Sequence, residues 1–345
     1  MPSMGRGGDA AGRSGPRDRA IGRVRQLLER AGFFVSDAHH VRPTSFDLMA
    51  RRDSQLLIVK ILKNIDALDP DEAARIGELG RLFPAKVLVI GQTSGGNDLE
   101  PGVVYSRYGI PIVVEESLQE LLQKGVPPFL FSGPGGIFAR IDGPRLRTLR
   151  EERRISLGAL ASIAGVSRRT IQLYEDGAGA EVEIVERLER YLSEPIARPL
   201  DLFGDAKPEP AATRPGAKSD AGETPTRRPR ATGDALRDGV IRQLDGMGWE
   251  VTVTIRCPFD ALSHADARGQ DSTLLTSVGT LRTAQARADL LLELARVAEG
   301  HAMFVVREAT GRHDIEGLPL LTVRELQRHR DRGELLDVIE ERGSG

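Results

Sequence analysis

Hydrophobic and polar positions along the chain switch between a helical and an extended period. Ile21, Val24, Leu27, Leu28 and Ala31 fall at helical spacing and Gly32 follows them. The pattern predicts a helix that ends on a residue free to adopt positive φ. Short apolar runs come next: Phe33-Phe34-Val35, Phe46-Asp47-Leu48-Met49-Ala50 and residues 55–61. A helical stretch over 71–83, a buried run at 86–90, further runs at 103–105 and 112–114, and a helix capped by Ser117 complete the series. This order predicts a mixed sheet with helices on its faces over residues 20–128. Apolar triplets at 129–131 and 137–139 flank Ser132-Gly133-Pro134-Gly135-Gly136, which predicts a hairpin connector over 129–141.

From 142 to 203 the pattern is helical throughout. Leu146, Leu149 and Arg150 mark a first helix, and Ser156 caps a second over 157–164. After Gly165-Val166-Ser167 a third helix begins, with Ile171, Leu173 and Tyr174 expected on its buried side. A fourth covers 181–191, with Val182, Val185, Leu188 and Leu192 on one face, and Pro195 and Pro199 stop it. Residues 1–19 and 204–233 lack any apolar period and are expected to form a disordered tail and a disordered linker.

Residues 234–340 repeat the first unit. A helix over 240–244 ends at Gly248, as the first ends at Gly32. Trp249-Glu250-Val251 matches Phe33-Phe34-Val35, and Phe259-Asp260-Ala261-Leu262 matches Phe46-Asp47-Leu48-Met49. Residues 274–278 are aligned with 56–60 and residues 303–306 with 87–90, the latter at the offset of 216 that also relates the two glycines. Gly317-Leu318-Pro319-Leu320 matches Gly109-Ile110-Pro111-Ile112. The expectation is an internal duplication flanking a helical domain.

Composition narrows what these units can do. A net charge of -2 over 345 residues excludes a polycation, so any nucleic-acid contact must come from a local patch. Such a patch exists between 140 and 176, where eight arginines face five acids. The single Cys257 excludes an internal disulfide and cysteine-based zinc motifs, and the six histidines show no H-x-x-x-H spacing. No metal or cofactor is expected. No apolar run approaches the ~20 residues of a membrane helix, and the first residues do not read as a secretory signal. No membrane association and a cytoplasmic location follow as expectations.

The third helix of the central domain carries the clearest chemistry. Ser167 is a good N-cap, but Arg168 and Arg169 then occupy a first turn whose dipole favours anions. A phosphate or a guanine edge resolves that conflict. The pattern Ser156-x-x-x-Leu160-Ala161-x-x-Ala164-Gly165-Val166-Ser167-x-x-Thr170-Ile171-x-x-Tyr174-Glu175-x-Gly177 resembles the Cro/cI-type helix-turn-helix family. The resemblance implies a lambda-repressor-like domain that binds double-stranded DNA through Ser167, Arg168, Arg169, Thr170 and Gln172. Helix two of that family often opens with a glutamine that braces a phosphate. Leu157 and Gly158 stand there instead, so Arg147, Arg153 or Arg154 is expected to substitute.

The flanking units resemble the PD-(D/E)XK restriction-endonuclease-like fold, whose chemistry needs clustered carboxylates for Mg²⁺ and a lysine for the attacking water. Glu29, Asp47 and Lys60 match three of its roles, but Ile58 replaces the second strand acid. In the second copy Asp260 remains, while Thr276 and Val278 stand where the acid and lysine are expected. A non-catalytic scaffold is therefore expected rather than an enzyme. The glycine-rich run 91–97 follows a strand and is expected to be a plain loop, an anion cradle being the other reading. The whole layout, with Arg42-Pro43-Thr44-Ser45-Phe46-Asp47 and the spaced Lys60, Asn64, Ile65 and Asp66, resembles archaeal HTH-type transcriptional regulatory proteins. That resemblance implies sequence-specific DNA binding in transcription control, expected as a homodimer on paired half-sites. Two alternatives stay open: a Mg²⁺-dependent nuclease targeted by the helix-turn-helix, and an antitoxin-like partner-binding protein.

Overall fold

The computed structural model describes residues 15–37, 44–203, 233–267, 270–308 and 311–343. The expected linker at 204–233 lies outside them except for its last residue, as does the expected tail up to residue 14. Helix α1 (Pro16–Arg30) starts inside the stretch expected to be disordered. Pro16 pre-sets the first turn, and the Asp18 carboxylate accepts the Gly15 N–H at 3.0 Å. Gly32 takes φ +84° and turns the chain into β1 (Phe34–Asp37). Then come β2 (Leu48–Arg52), β3 (Gln55–Asn64), α2 (Pro70–Leu82), β4 (Lys86–Ser94), β5 (Asn97–Asp98), β6 (Val103–Arg107), β7 (Ile110–Val113) and α3 (Glu115–Lys124).

Strands β3, β4 and β7 run parallel, with the antiparallel pairs β1–β2, β2–β3 and β6–β7 on either side. Ile21, Val24 and Leu28 of α1 and Leu118 of α3 pack on Leu48, Leu57, Val59 and Leu88 at one face of this sheet. Ile76 and Leu79 of α2 pack on Met49, Ile58 and Val89 at the other. The run 91–97 closes the β4–β5 hairpin over Gly95-Gly96, both at positive φ. The Gly95 N–H donates to the Asp66 carboxylate at 2.7 Å, so this run holds an anion of its own chain.

The central region is built on the edge of that sheet. Strand β8 (Leu130–Gly133) pairs parallel with β6, and β9 (Gly136–Ile141) returns beside it. Helices α4 (Gly143–Glu152), α5 (Leu157–Ala164) and α6 (Arg168–Glu175) follow. The short β10 (Gly179–Glu181), α7 (Val182–Leu192) and β11 (Ala197–Arg198) complete it, both strands pairing with β9. One sheet thus runs β1-β2-β3-β4-β7-β6-β8-β9-β10, with β5 beside β4 and β11 beside β9. The hairpin is a structural bridge rather than a tether. Leu202 returns to the core under α1, which fastens the exit from the helices to the first unit as well.

The C-terminal unit comprises α8 (Ala235–Gly246), β12 (Glu250–Val253), β13 (Ala261–Ala267), β14 (Gln270–Gly279), α9 (Leu281–Val297), β15 (His301–Val306), β16 (Asp314–Ile315), β17 (Leu318–Thr322), α10 (Val323–Leu326) and α11 (Arg332–Gly343). Its sheet order, β12-β13-β14-β15-β17-β16, has the same strand directions as β1-β2-β3-β4-β7-β6. The hydrogen-bond ladder corrects two alignments made on apolar pattern. Asp47 N–H donates to Val59 O and Asp260 N–H to Thr276 O, both at 2.9 Å. Thr276 is therefore the counterpart of Val59, Ser277 of Lys60 and Val278 of Ile61. Likewise His301 opposes Leu274 as Lys86 opposes Leu57, which makes Met303 the counterpart of Leu88. Strands β3, β4 and β15 are nearly continuous apolar runs, so a slip by one residue still sets apolar residues against one another while exchanging faces.

The two units share a core. Phe46, Met49, Ile76 and Phe83 meet Phe259, Leu262, Leu291 and Phe304, with the Phe83 and Phe259 rings edge to face at 5.9 Å. Helices α2 and α9 fill the space between the two sheets. At the rim, Ser45 N–H donates to Arg256 O at 2.7 Å, Arg51 pairs with Glu299 at 2.9 Å, and Arg296 lies over the Phe34 ring.

Candidate nucleic-acid interface

Helices α5 and α6 form a helix-turn-helix. Ser156 caps α5 by accepting the Ala159 N–H at 3.1 Å, and Gly165 ends it at φ +72°. Ser167 caps α6 by accepting the Thr170 N–H at 3.1 Å, and its hydroxyl also meets the Thr170 hydroxyl at 2.8 Å. Leu160, Ala161 and Ala164 pack on Ile171, Tyr174 and Leu188. Behind α6 the carboxylate of Glu175, 4% exposed, accepts from Arg150 Nε at 2.5 Å and from Arg147 Nε at 3.3 Å. The bond to Glu175 raises the Arg150 pKa. Gly143 lets α4 cross there, since a Cβ at this position would collide with Glu175 O.

A helix advances about 100° per residue. The exposed arc of α6 therefore runs from Arg168 through Gln172, Asp176 and Arg169 to Leu173, with Tyr174 opposite and the buried Ile171 and Glu175 on the inward side next to Arg168. Leu173 is 48% exposed. That overturns its expected place on the buried side: Tyr174 fills the core, and Leu173 points away from it. Thr170 is half-buried at the border, held by Ser167. Arg168 reaches across the turn, and a Cβ on Gly158 would lie 2.9 Å from its Nε. The glycine at the start of α5 is what makes room for that guanidinium.

Arg168 and Arg169 carry no ion pair among the described residues, and neither do Arg153 and Arg154 just before α5. Arg147 differs: besides Glu175 it reaches Asp176 at 3.2 Å, while its side chain stays half-exposed. Helix α7 exposes Glu183 and Glu186 together with Arg187 and Arg190, and uses Glu189 to accept the Ile196 and Ala197 N–H groups at 2.8 and 3.0 Å.

In the first α/β unit the residues matched to a metal site are bonded to other groups of the chain. Asp47 is 1% exposed, and both of its oxygens are used: Oδ1 accepts from Arg17 Nη2 at 2.7 Å and Oδ2 from Ile61 N–H at 2.8 Å. Ile58 lies in the apolar core. Lys60 is buried against Glu72 of α2 at 2.8 Å, and Glu29 pairs with Arg25 along α1. Glu29, Asp47 and Lys60 therefore hold other partners instead of converging on one ion. The second unit repeats the aspartate arrangement, with Asp260 bonded to Arg237 Nη2 at 2.7 Å and to Val278 N–H at 2.7 Å. No group of three or more metal-binding side chains occurs among the described residues.

Fold and site together define a class: a helix-turn-helix module mounted on a PD-(D/E)XK-type α/β unit. The family model described as "PD-(D/E)XK superfamily domain" matches residues 17–128, and the one described as "Helix-turn-helix domain" matches 143–196. A protein of Haloquadratum walsbyi named "Putative HTH-type transcriptional regulatory protein" is 37% identical, covering 94% of this chain and 97% of the relative. Relatives of the same name from Halobacterium salinarum (37% identical, 95% and 98% covered) and Methanocella arvoryzae (36%, 94% and 96%) are similar over the same span. The chain belongs to this family of archaeal-type HTH transcriptional regulatory proteins. No solved structure matches it.

Proposed function

We propose that the chain is a sequence-specific regulator of transcription that places α6 in the major groove of double-stranded DNA. The observation that carries this reading is the exposed arc of α6. Two arginines without acidic partners stand at a helix end whose dipole disfavours them, as DNA binding would require. Arg169 and Gln172 have the chemistry to pair with guanine and adenine. Arg168, Arg153 and Arg154 border the base-reading face and take phosphates. Ser167 and Thr170 hold the start of the helix, and Arg147 acts through Glu175. The helical domain spans 142–203 in a lambda-repressor-like arrangement. The two α/β units, 20–128 and 234–340, are copies of one nuclease-like ancestor. Both serve as a non-catalytic scaffold, since each retained aspartate binds an arginine of the first helix. Each chain presents a single α6, so a palindromic operator takes a homodimer. The setting is cytoplasmic.

Selection of binding sites from random double-stranded DNA with the full chain tests this reading. Enrichment of one motif supports it, and binding without sequence preference refutes it. Cleavage of plasmid in Mg²⁺ or Mn²⁺, abolished by Asp47→Ala and by Lys60→Ala, would overturn the scaffold assignment.

A further inference from the structure

We propose that Leu173 is a specificity-determining residue that reads the 5-methyl group of a thymine. The inference rests on the DNA reading above and deepens it. An exposed leucine ordinarily needs no explanation, but Leu173 lies on the arc that also carries Arg169 and Gln172. It follows Arg169 by one helical turn, so the two side chains are surface neighbours. At the other border of the arc, the Arg168 guanidinium is drawn over Gly158 toward α5, away from Leu173. Arg169, Gln172 and Leu173 are thus left as the set facing outward. Beyond them Asp176, bonded to Arg147, sets the limit to which a polyanion can approach. The unpaired Arg169 beside Leu173, with Arg168 on the same exposed arc, selects DNA as its occupant, because a second copy of this chain would bring the same positive charges against them.

In the major groove only thymine offers a methyl group, which is the apolar contact that a leucine at this place can use. Burying one methyl corresponds to about fourfold in affinity. With a motif selected by the full chain, each thymine is replaced in turn by deoxyuridine, which lacks only that methyl. The expected result is one thymine in each half-site whose replacement weakens binding by the wild type about fourfold. Leu173→Ala and Leu173→Gln, checked for folding by circular dichroism, then bind the thymine and deoxyuridine sites equally. Three results overturn the inference. The first is that no thymine methyl matters, and the second is that the methyl effect survives both variants. The third is a change of oligomeric state in the variants with methyl discrimination intact, which would make Leu173 a contact between copies. Failure to select any motif refutes the DNA reading itself, and this inference with it.

Discussion

Replacing Asp47 with alanine separates a structural clasp from a metal ligand. The carboxylate is 1% exposed and joins α1 to β3 through Arg17 and the Ile61 N–H. In Asp47→Ala that N–H, at a buried position, loses its partner, at a cost of about 1–3 kcal/mol. The charged bond to Arg17 goes too. Arg17 is 41% exposed, however, so water replaces most of what it loses, and the bond adds roughly 0.5–1 kcal/mol. Asp47→Ala should cost about 2–3 kcal/mol, and Arg17→Ala no more than about 1 kcal/mol. In thermal melts followed by circular dichroism this is a fall of about 5–10 °C against one of about 2–3 °C. Mg²⁺ and Mn²⁺ should leave the wild-type midpoint unchanged. Equal losses in the two variants, or a metal-dependent rise that Asp47→Ala abolishes, would refute the clasp.

Arg150→Ala strips the buried Glu175 of its main partner and should destabilise the helical domain by about 3–5 kcal/mol, measured by loss of helicity together with loss of DNA binding. Phe259→Ala empties the junction with Phe83 and should cost about 3–5 kcal/mol. Because the core is shared, hydrogen exchange should speed up in both α/β units. Glu325 is partly buried, which alone would raise its pKa, but the Thr322 N–H and hydroxyl and the Arg342 guanidinium hold it down at about 2. A depressed carboxylate stabilises the fold above its unfolded pKa of about 4.5 and loses that contribution as pH falls toward 2. Glu325→Gln should therefore lower stability at neutral pH and flatten its decline between those two values.

Much of this architecture is legible in the sequence because it rests on local rules. The glycines at 32, 165 and 248 take the positive φ that helix ends demand, and Ser156 and Ser167 make the cap bonds their positions imply. Three features are not local. The residue-by-residue correspondence of β14 with β3 depends on how each pairs with its own neighbour, and apolar periodicity leaves that open. The shared core of α2 and α9 is formed by residues about 200 positions apart, each of which by itself reads as an ordinary amphipathic face. Leu173 beside Tyr174 shows the same limit on a small scale. Both are apolar, and only the packing of α6 against α5 decides which one is buried. The apolar residue at the place of the second strand acid, Ile58, is legible in the sequence, but the pairing of Asp47 with Arg17 is not. Arg17 lies in a segment that composition alone marks as tail.

The central claim, that α6 reads DNA sequence, is tested most directly by measuring wild type and the double variant Arg168→Ala/Arg169→Ala on the selected motif and on a scrambled duplex. The wild type should show a marked preference for the motif. In the double variant the preference falls by about 10–100-fold, the worth of one bidentate base contact, with further loss on both duplexes from the missing phosphate contact. Unchanged affinity and preference in the variant would contradict that claim.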